Sequence, residues 1–183
     1  MFRDHPRVAA LTARILVGEC AREDPACARM ADSPLPSAML PGRAILGLMA
    51  GATAFRTEAF RQAGGYHPRF FIGGEETLLA LDLAASGWQL VYAPQLVVHH
   101  HPSPLRDRGR RRSLLARNAV WAAWLRLPWR MALEETAAEL PGLLRSQGWR
   151  GIAEVLKGMP WVMRERRVIP RELAALRRDL RGR

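Results

Sequence analysis

Lysine is all but missing. Lys157 is the single one, and the other cations among the 28 basic side chains are all arginine. With alanine so abundant, that uniformity fits a GC-rich coding bias, so arginine in place of lysine says little about function. Cysteine is scarce too. Cys20 and Cys27 have six residues between them, a spacing that makes neither a metal nor a redox signature, and they read as free thiols of a reducing compartment. No run suits a membrane span. The longest uncharged stretch, 83–105, contains Gly87, Pro94, Pro102, Pro104 and three consecutive histidines, which fits turns and strands. Met1 to Pro6 is followed by no apolar run, so no signal peptide is expected. There is no internal repeat, no low-complexity tract and no carboxylate-x-carboxylate motif.

What is present is enough for a folded protein. A chain of 183 residues with 49% hydrophobic side chains can bury a core, which excludes global disorder and suits one domain or one domain with an appendage. The formal net charge of +11 is unevenly placed. Residues 1–102 carry nine basic and nine acidic side chains, whereas 103–183 carry nineteen basic and eight acidic. The expected organisation is therefore an α/β part over 1–102 and a basic, Trp-containing helical tail over 103–183.

The local pattern predicts a strand over 8–17 ended by Gly18, a proline-broken loop over 21–43, and a buried small-residue strand over 46–55. Thr57 is placed as N-cap of a short helix, 58–63, ended by Gly64-Gly65. A helix follows Gly73-Gly74-Glu75-Glu76, carries Leu78, Leu79, Leu81 and Leu83, and stops at Gly87. Two short strands, 88–92 and 96–99, are separated by Pro94. In the tail, 105–112 reads as an Arg-rich connector and 114–127 as a helix closed by Pro128. Leu133, Ala137, Leu140 and Leu144 mark a second helical stripe, bent or split at Pro141. Trp149, Ile152, Leu156, Met159 and Met163 mark a third, with a break near Pro160, and Leu173, Leu176 and Leu180 a last one. Five of six tryptophans lie at or after position 121. Arginine and tryptophan on amphipathic helices is the composition of an interfacial membrane segment.

Two groups of residues are candidates for chemistry. Glu75 and Glu76 stand at a helix start behind two glycines that give a ligand room to approach. Such a carboxylate can serve as a general base toward a hydroxyl, and the helix dipole should lower its pKa and keep it ionised. An ordinary acidic first turn explains the same residues. His99, His100 and His101 end a strand, where a neutral ring nitrogen can bind a divalent metal and one of the three faces any given site. Solvent-exposed polar residues at a strand end are the alternative.

The order of the pieces says more than each alone. Gly51-Ala52-x-x-Phe55-Arg56-x-x-Ala59-Phe60 precedes Gly64-Gly65-Tyr66, Phe70-Phe71, Gly74-Glu75-Glu76, Leu79, Gly87-Trp88, Tyr92-x-Pro94 and Val97-Val98-x-His100. Over about 44–102 this resembles the second half of the family 2 glycosyltransferases, inverting enzymes with a GT-A fold. The resemblance implies that Glu76 is the catalytic base, with Glu75 in reserve and Gly74 beside the substrate. It also implies that His100 helps hold a divalent metal, Mg or Mn. Glu stands at position 76 where the family usually has Asp, and Leu78 where it often has a second Asp. The family's first half, with nucleotide-binding strands and an Asp-x-Asp, is not matched. The chain thus reads as the acceptor-side half of a partial GT-A-like fold. A truncated gene product, a partner chain supplying the donor half and a lost activity all remain open.

Arg106, Arg108, Arg110, Arg111 and Arg112 lead into Arg117-Asn118-x-x-Trp121, a segment that weakly extends the resemblance. Arg106, Arg117 and Trp121 are accordingly placed at the substrate: a donor diphosphate, a lipid-phosphate acceptor or anionic lipid. A solvated basic face is the alternative. Nucleic acid is not expected, because the tryptophans fall in helical stripes and form no stacking platform. The expected activity is transfer of a sugar from a nucleotide-sugar to a hydroxyl of a cell-envelope polysaccharide or lipid-linked acceptor. The chain would be cytoplasmic and peripheral at the inner face of the plasma membrane. An inactive remnant that binds a membrane or a protein is the other reading.

Overall fold

The computed structural model describes residues 1–102 and 108–181, and for Arg108, Arg110 and Arg181 the backbone alone. Arg106 lies outside the described residues. The chain divides into two compact units, one of Met1–Gly65, Leu79–Pro104 and Leu176–Arg183, the other of Tyr66–Leu78 and Leu105–Ala175.

The first unit is built on a mixed sheet. Its central strand β1 (Val8–Val17) is buried almost continuously from Val8 to Ala13, as a strand covered on both faces must be. It runs parallel to β5 (Gln89–His100) and pairs antiparallel with β2 (Arg22–Glu23) and β4 (Thr53–Phe55), while β3 (Arg43–Ala44) pairs antiparallel with β5. Val8, Leu11, Val91 and Ala93 form a core on which Phe2, Leu40 and Leu96 pack. Thr12, fully buried, is paired by its Oγ1 with Thr53 Oγ1 at 2.9 Å.

Several expectations are corrected here. The two strands predicted around Pro94 are one. The β1–β5 register jumps between Ala13 and Arg14, opposite Ala93 and Val97, so Pro94 sits in an irregularity where its missing N–H costs no ladder bond. The strand predicted over 46–55 is reduced to β4, preceded by a 3-10 turn at Ala50–Ala52; Gly47 and Gly51 weaken the longer strand. The loop over 21–43 contains a short helix, α1 (Pro25–Ala31), started by Asp24 Oδ1 accepting from Ala26 N at 2.8 Å, with Pro25 in the first turn where proline is tolerated. Thr57 is the first residue of α2 (Thr57–Gln62), and Arg56 stands at its N-cap. The Arg56 guanidinium instead ties down the start of the chain, donating to the carbonyls of Val8 (3.0 Å), Phe2 (2.7 Å) and His5 (3.0 Å). Gly64 and Gly65 end α2 as expected, both with positive φ. Cys20 and Cys27 are free thiols.

Helix α3 (Glu75–Ala85) has its first turn in the second unit and the remainder in the first, and Gly87, at φ 82°, ends it. The second unit is otherwise helical: α4 (Arg108–Arg126), α5 (Trp129–Gln147), α6 (Trp149–Arg164) and the start of α7 (Arg171–Arg181). The predicted connector is therefore helical from Arg108 onward. Pro141 and Pro160 neither split nor end their helices. Both prolines are exposed, as are Ala137 and Leu156, whose carbonyls lose their helical donor, so the loss is met on the water side.

Its core gathers Phe70, Leu78, Val120, Trp121, Leu125, Leu143, Val155, Trp161 and Val162. Trp121 and Trp161 meet edge to face at 5.3 Å. The segment after α6 closes the end of α4. Arg166 donates to the carbonyls of Trp124 and Leu127, Arg167 N to Leu125 O at 2.9 Å, and Ile169 N to Arg126 O at 2.8 Å. Four carbonyls at the negative end of a helix thus receive donors, two of them from a guanidinium. Among the described residues, no helix is long and apolar enough to cross a membrane.

Candidate active site

The acidic pair sits where a tightly constrained loop turns into α3. Phe71, Gly73 and Gly74 have φ of 61°, 77° and 86°, so three of four consecutive residues are left-handed. Only glycine fits at two of them. A side chain on Gly73 would run into Leu115, and a Cβ on Gly74 would stand 3.1 Å from Asn118 Cβ. Ile72 N closes a tight turn onto Phe70 O at 2.7 Å, and Leu78 N begins the helix by donating to Gly74 O at 3.0 Å.

Asn118 of α4 holds this loop. It is fully buried, and its Nδ2 lies 2.8 Å from Phe70 O, 3.0 Å from Ile72 O and 2.6 Å from Gly73 O, so two hydrogens serve three carbonyls. Its Oδ1 accepts from Arg117 Nε and Nη2 at 3.1 and 2.9 Å. Arg117 in turn lies over the Trp121 ring at 4.2 Å. Trp121 is a core residue, its Nε1 donating to Val155 O at 3.0 Å. The Arg117-Asn118-x-x-Trp121 segment is therefore the support of the Gly73-Gly74-Glu75-Glu76 turn, a connection that their separation in sequence did not reveal.

The carboxylates are partly buried, and Glu75 Oε2 and Glu76 Oε2 are out of water with no hydrogen-bond partner. Burial pushes the Glu76 carboxyl above its ordinary value of 4.5, and the neighbouring Glu75, by charge and hydrogen bond, pushes the same way against backbone N–H groups. The dipole-based expectation of a lowered pKa is thereby corrected. Taking the carboxylate out of water and placing it beside a second one outweighs the helix start. Tyr66 faces the same pair, its phenol raised to about 12 by burial and by the charges of Glu76 and Glu75.

A second polar pair had no sequence signal beyond a lone histidine. His67 stacks on Trp161 at 5.1 Å, its Nδ1 accepts from Arg69 N at 3.3 Å, and its Nε2 lies 3.1 Å from Glu165 Oε2. The acceptor role of Nδ1 leaves the proton on Nε2, directed at Glu165. That hydrogen bond holds the Glu165 carboxyl below its ordinary value.

Gly74, Glu75, Glu76, Arg117 and Trp121 thus all belong to the second unit. His100 belongs to the first, at the end of β5, where its carbonyl accepts from Gly18 N at 3.0 Å. Among the described residues, no group of three or more His, Cys, Asp or Glu side chains could hold a metal ion. No protein-family model and no curated protein matches the chain.

Proposed function

We propose that the chain carries the acceptor-activating part of an inverting, GT-A-like glycosyltransferase, with Glu76 as the base. One observation carries this reading. A partly buried carboxylate pair, raised at Glu76 and with an unpartnered oxygen on each member, is delivered by a glycine turn that a fully buried asparagine holds in place. A base is most useful when its pKa lies near the working pH, and burial moves Glu76 in that direction. The resemblance of residues 44–102 to family 2 glycosyltransferases supplies the reaction type.

In the proposed step, Glu76 takes the proton of an acceptor hydroxyl. The oxygen attacks the anomeric carbon of a nucleotide-sugar from the face opposite the leaving group. The carbon–oxygen bond to the diphosphate breaks, and the diphosphate leaves with the electron pair. Gly73 and Gly74 let the turn pack closely on Leu115 and Asn118 and so fix the base in place, Glu75 sustains its raised pKa, and Arg117 offers a cation to phosphate. By the same resemblance His100 would give one ligand to Mg or Mn, which would neutralise the diphosphate when bound, with its other ligands coming from elsewhere. The acceptor class is a cell-envelope polysaccharide or a lipid-linked hydroxyl, and the place of action is the inner face of the plasma membrane.

The test is sugar transfer in membranes of the producing cells, supplied with labelled nucleotide-sugars. Glu76→Gln keeps the fold and should lower turnover by about a hundredfold or more, the scale of a lost general base. Turnover equal to the parent's removes Glu76 from the chemistry. Absence of transfer by the parent with every donor favours a binding module without activity.

A further inference from the structure

Helix α6 carries an outward apolar row with a cationic row beside it. Trp149, Leu156 and Met163, seven residues apart, are 80%, 61% and 50% exposed. Ala153 and Pro160 lie between them and are exposed too. At 100° per residue these five positions fall within an arc of about 80°. The buried side of the same helix is Gly151, Val155, Gly158, Trp161 and Val162, so the outward row has no part in the core.

One residue further on, Arg150, Lys157 and Arg164 repeat the seven-residue spacing, and all three are exposed. The cations therefore line one edge of the apolar row, where their stems can lie along it and their heads reach outward. Arg150 and Lys157 also line a cavity of about 500 Å³ with Arg117, Ser113, Gln147 and Glu154. Among the described residues lining it, Glu154 is the one carboxylate and pairs with Lys157 at 2.9 Å, so three cations face a single anion. Ser113 and Gln147 add neutral hydrogen-bonding groups.

Helix α5 shows the contrast. Trp129, Leu133, Leu140 and Leu144 are exposed on it as well, but carboxylates stand beside the middle of that row, Glu134 directly after Leu133 and Glu139 directly before Leu140. Arg130 and Arg145 at its two ends offset these acids, so the α5 row has no net charge to draw anionic headgroups, whereas the α6 row has three cations beside it.

We propose that α6 lies on an anionic bilayer, with Trp149, Leu156 and Met163 in the interface and a lipid phosphate in the cavity of Arg117, Arg150 and Lys157. An interfacial helix needs apolar area and nearby positive charge together, and α6 supplies both in register. The proposal shares Arg117 with the proposed transfer but does not rest on it, because Trp149, Arg150, Leu156, Lys157 and Met163 have no part in that chemistry.

The experiment is co-sedimentation of the full chain with vesicles of phosphatidylcholine alone or mixed with about one-third phosphatidylglycerol. Binding should require phosphatidylglycerol and fall away in about 0.5 M salt. Arg150→Gln with Lys157→Gln should weaken it roughly tenfold or more, two headgroup contacts being lost. Trp149→Ser with Leu156→Ser, both at exposed positions, should weaken it comparably while circular dichroism stays unchanged. Glu76→Gln should bind as the parent does, which separates this proposal from the catalytic one. Equal binding to both vesicle types, or binding that neither pair of substitutions alters, overturns it. So does self-association that the Trp149 and Leu156 substitutions abolish without any vesicle binding.

Discussion

Asn118 is the residue on which the candidate site depends most. Three loop carbonyls share its amide, and the side chain is fully buried. Asn118→Ala should lower stability by about 2–4 kcal/mol in denaturant unfolding, since several buried carbonyls lose a donor at once. Asn118→Asp should do no better, because an ionised carboxylate accepts and cannot donate. Under the proposed function, transfer should fall with either change even where the protein still folds. Part of this was legible in the sequence and part was not. Two glycines followed by two acids announce a helix start, and the structure has it; the room expected beside the glycines is instead taken by Leu115 and Asn118. The sign of the Glu76 shift was not legible, because desolvation depends on what packs over the carboxylate, and the local pattern supplies only the dipole. His67 and Glu165, 98 positions apart, gave no signal at all.

Among the elements, those with strong local punctuation were readable. β1 with Gly18, α2 with Gly64-Gly65 and α3 with Gly87 end where glycine takes a left-handed conformation. β5 was not, because Pro94 marks a break only if every residue must pair, and the β1–β5 ladder skips that position. The stripes of α5 and α6 follow from periodicity, but periodicity does not say which side of a helix faces in. On the inward side of α6 a glycine makes the closest approach to α4. Gly158 lies against Trp121, and a Cβ there would enter the indole. Gly158→Ala should therefore destabilise by about 1–3 kcal/mol, as overpacking of a tight contact does, although alanine is the better helix former. Thermal unfolding measures this, and an unchanged or raised midpoint would show that α6 can shift away from α4.

For the whole molecule, the +11 charge is less informative than its arrangement. Charge alone divides the chain at Pro102. The packing assigns Tyr66–Leu78, with the acidic pair, to the helical unit that carries most of the excess cations. Stability against pH should show two opposing contributions. Glu76 is raised, so its contribution is fully present below about 4.5 and is lost as pH rises through its higher folded pKa. Glu165 is lowered, so its contribution is present above its unfolded pKa and is lost as pH falls through the depressed one. Glu76→Gln should then be more stable than the parent at neutral pH, with the gap closing on acidification below 4.5. Glu165→Gln should be less stable than the parent at neutral pH, and that gap should also close in acid. The same raised carboxylate yields the most direct measurement of the catalytic claim, the acidic limb of the pH–rate profile for sugar transfer. The rate should rise with pH through a midpoint above 4.5, as Glu76 loses its proton. A limb at or below 4.5, or a rate independent of pH across the acid range, would contradict it.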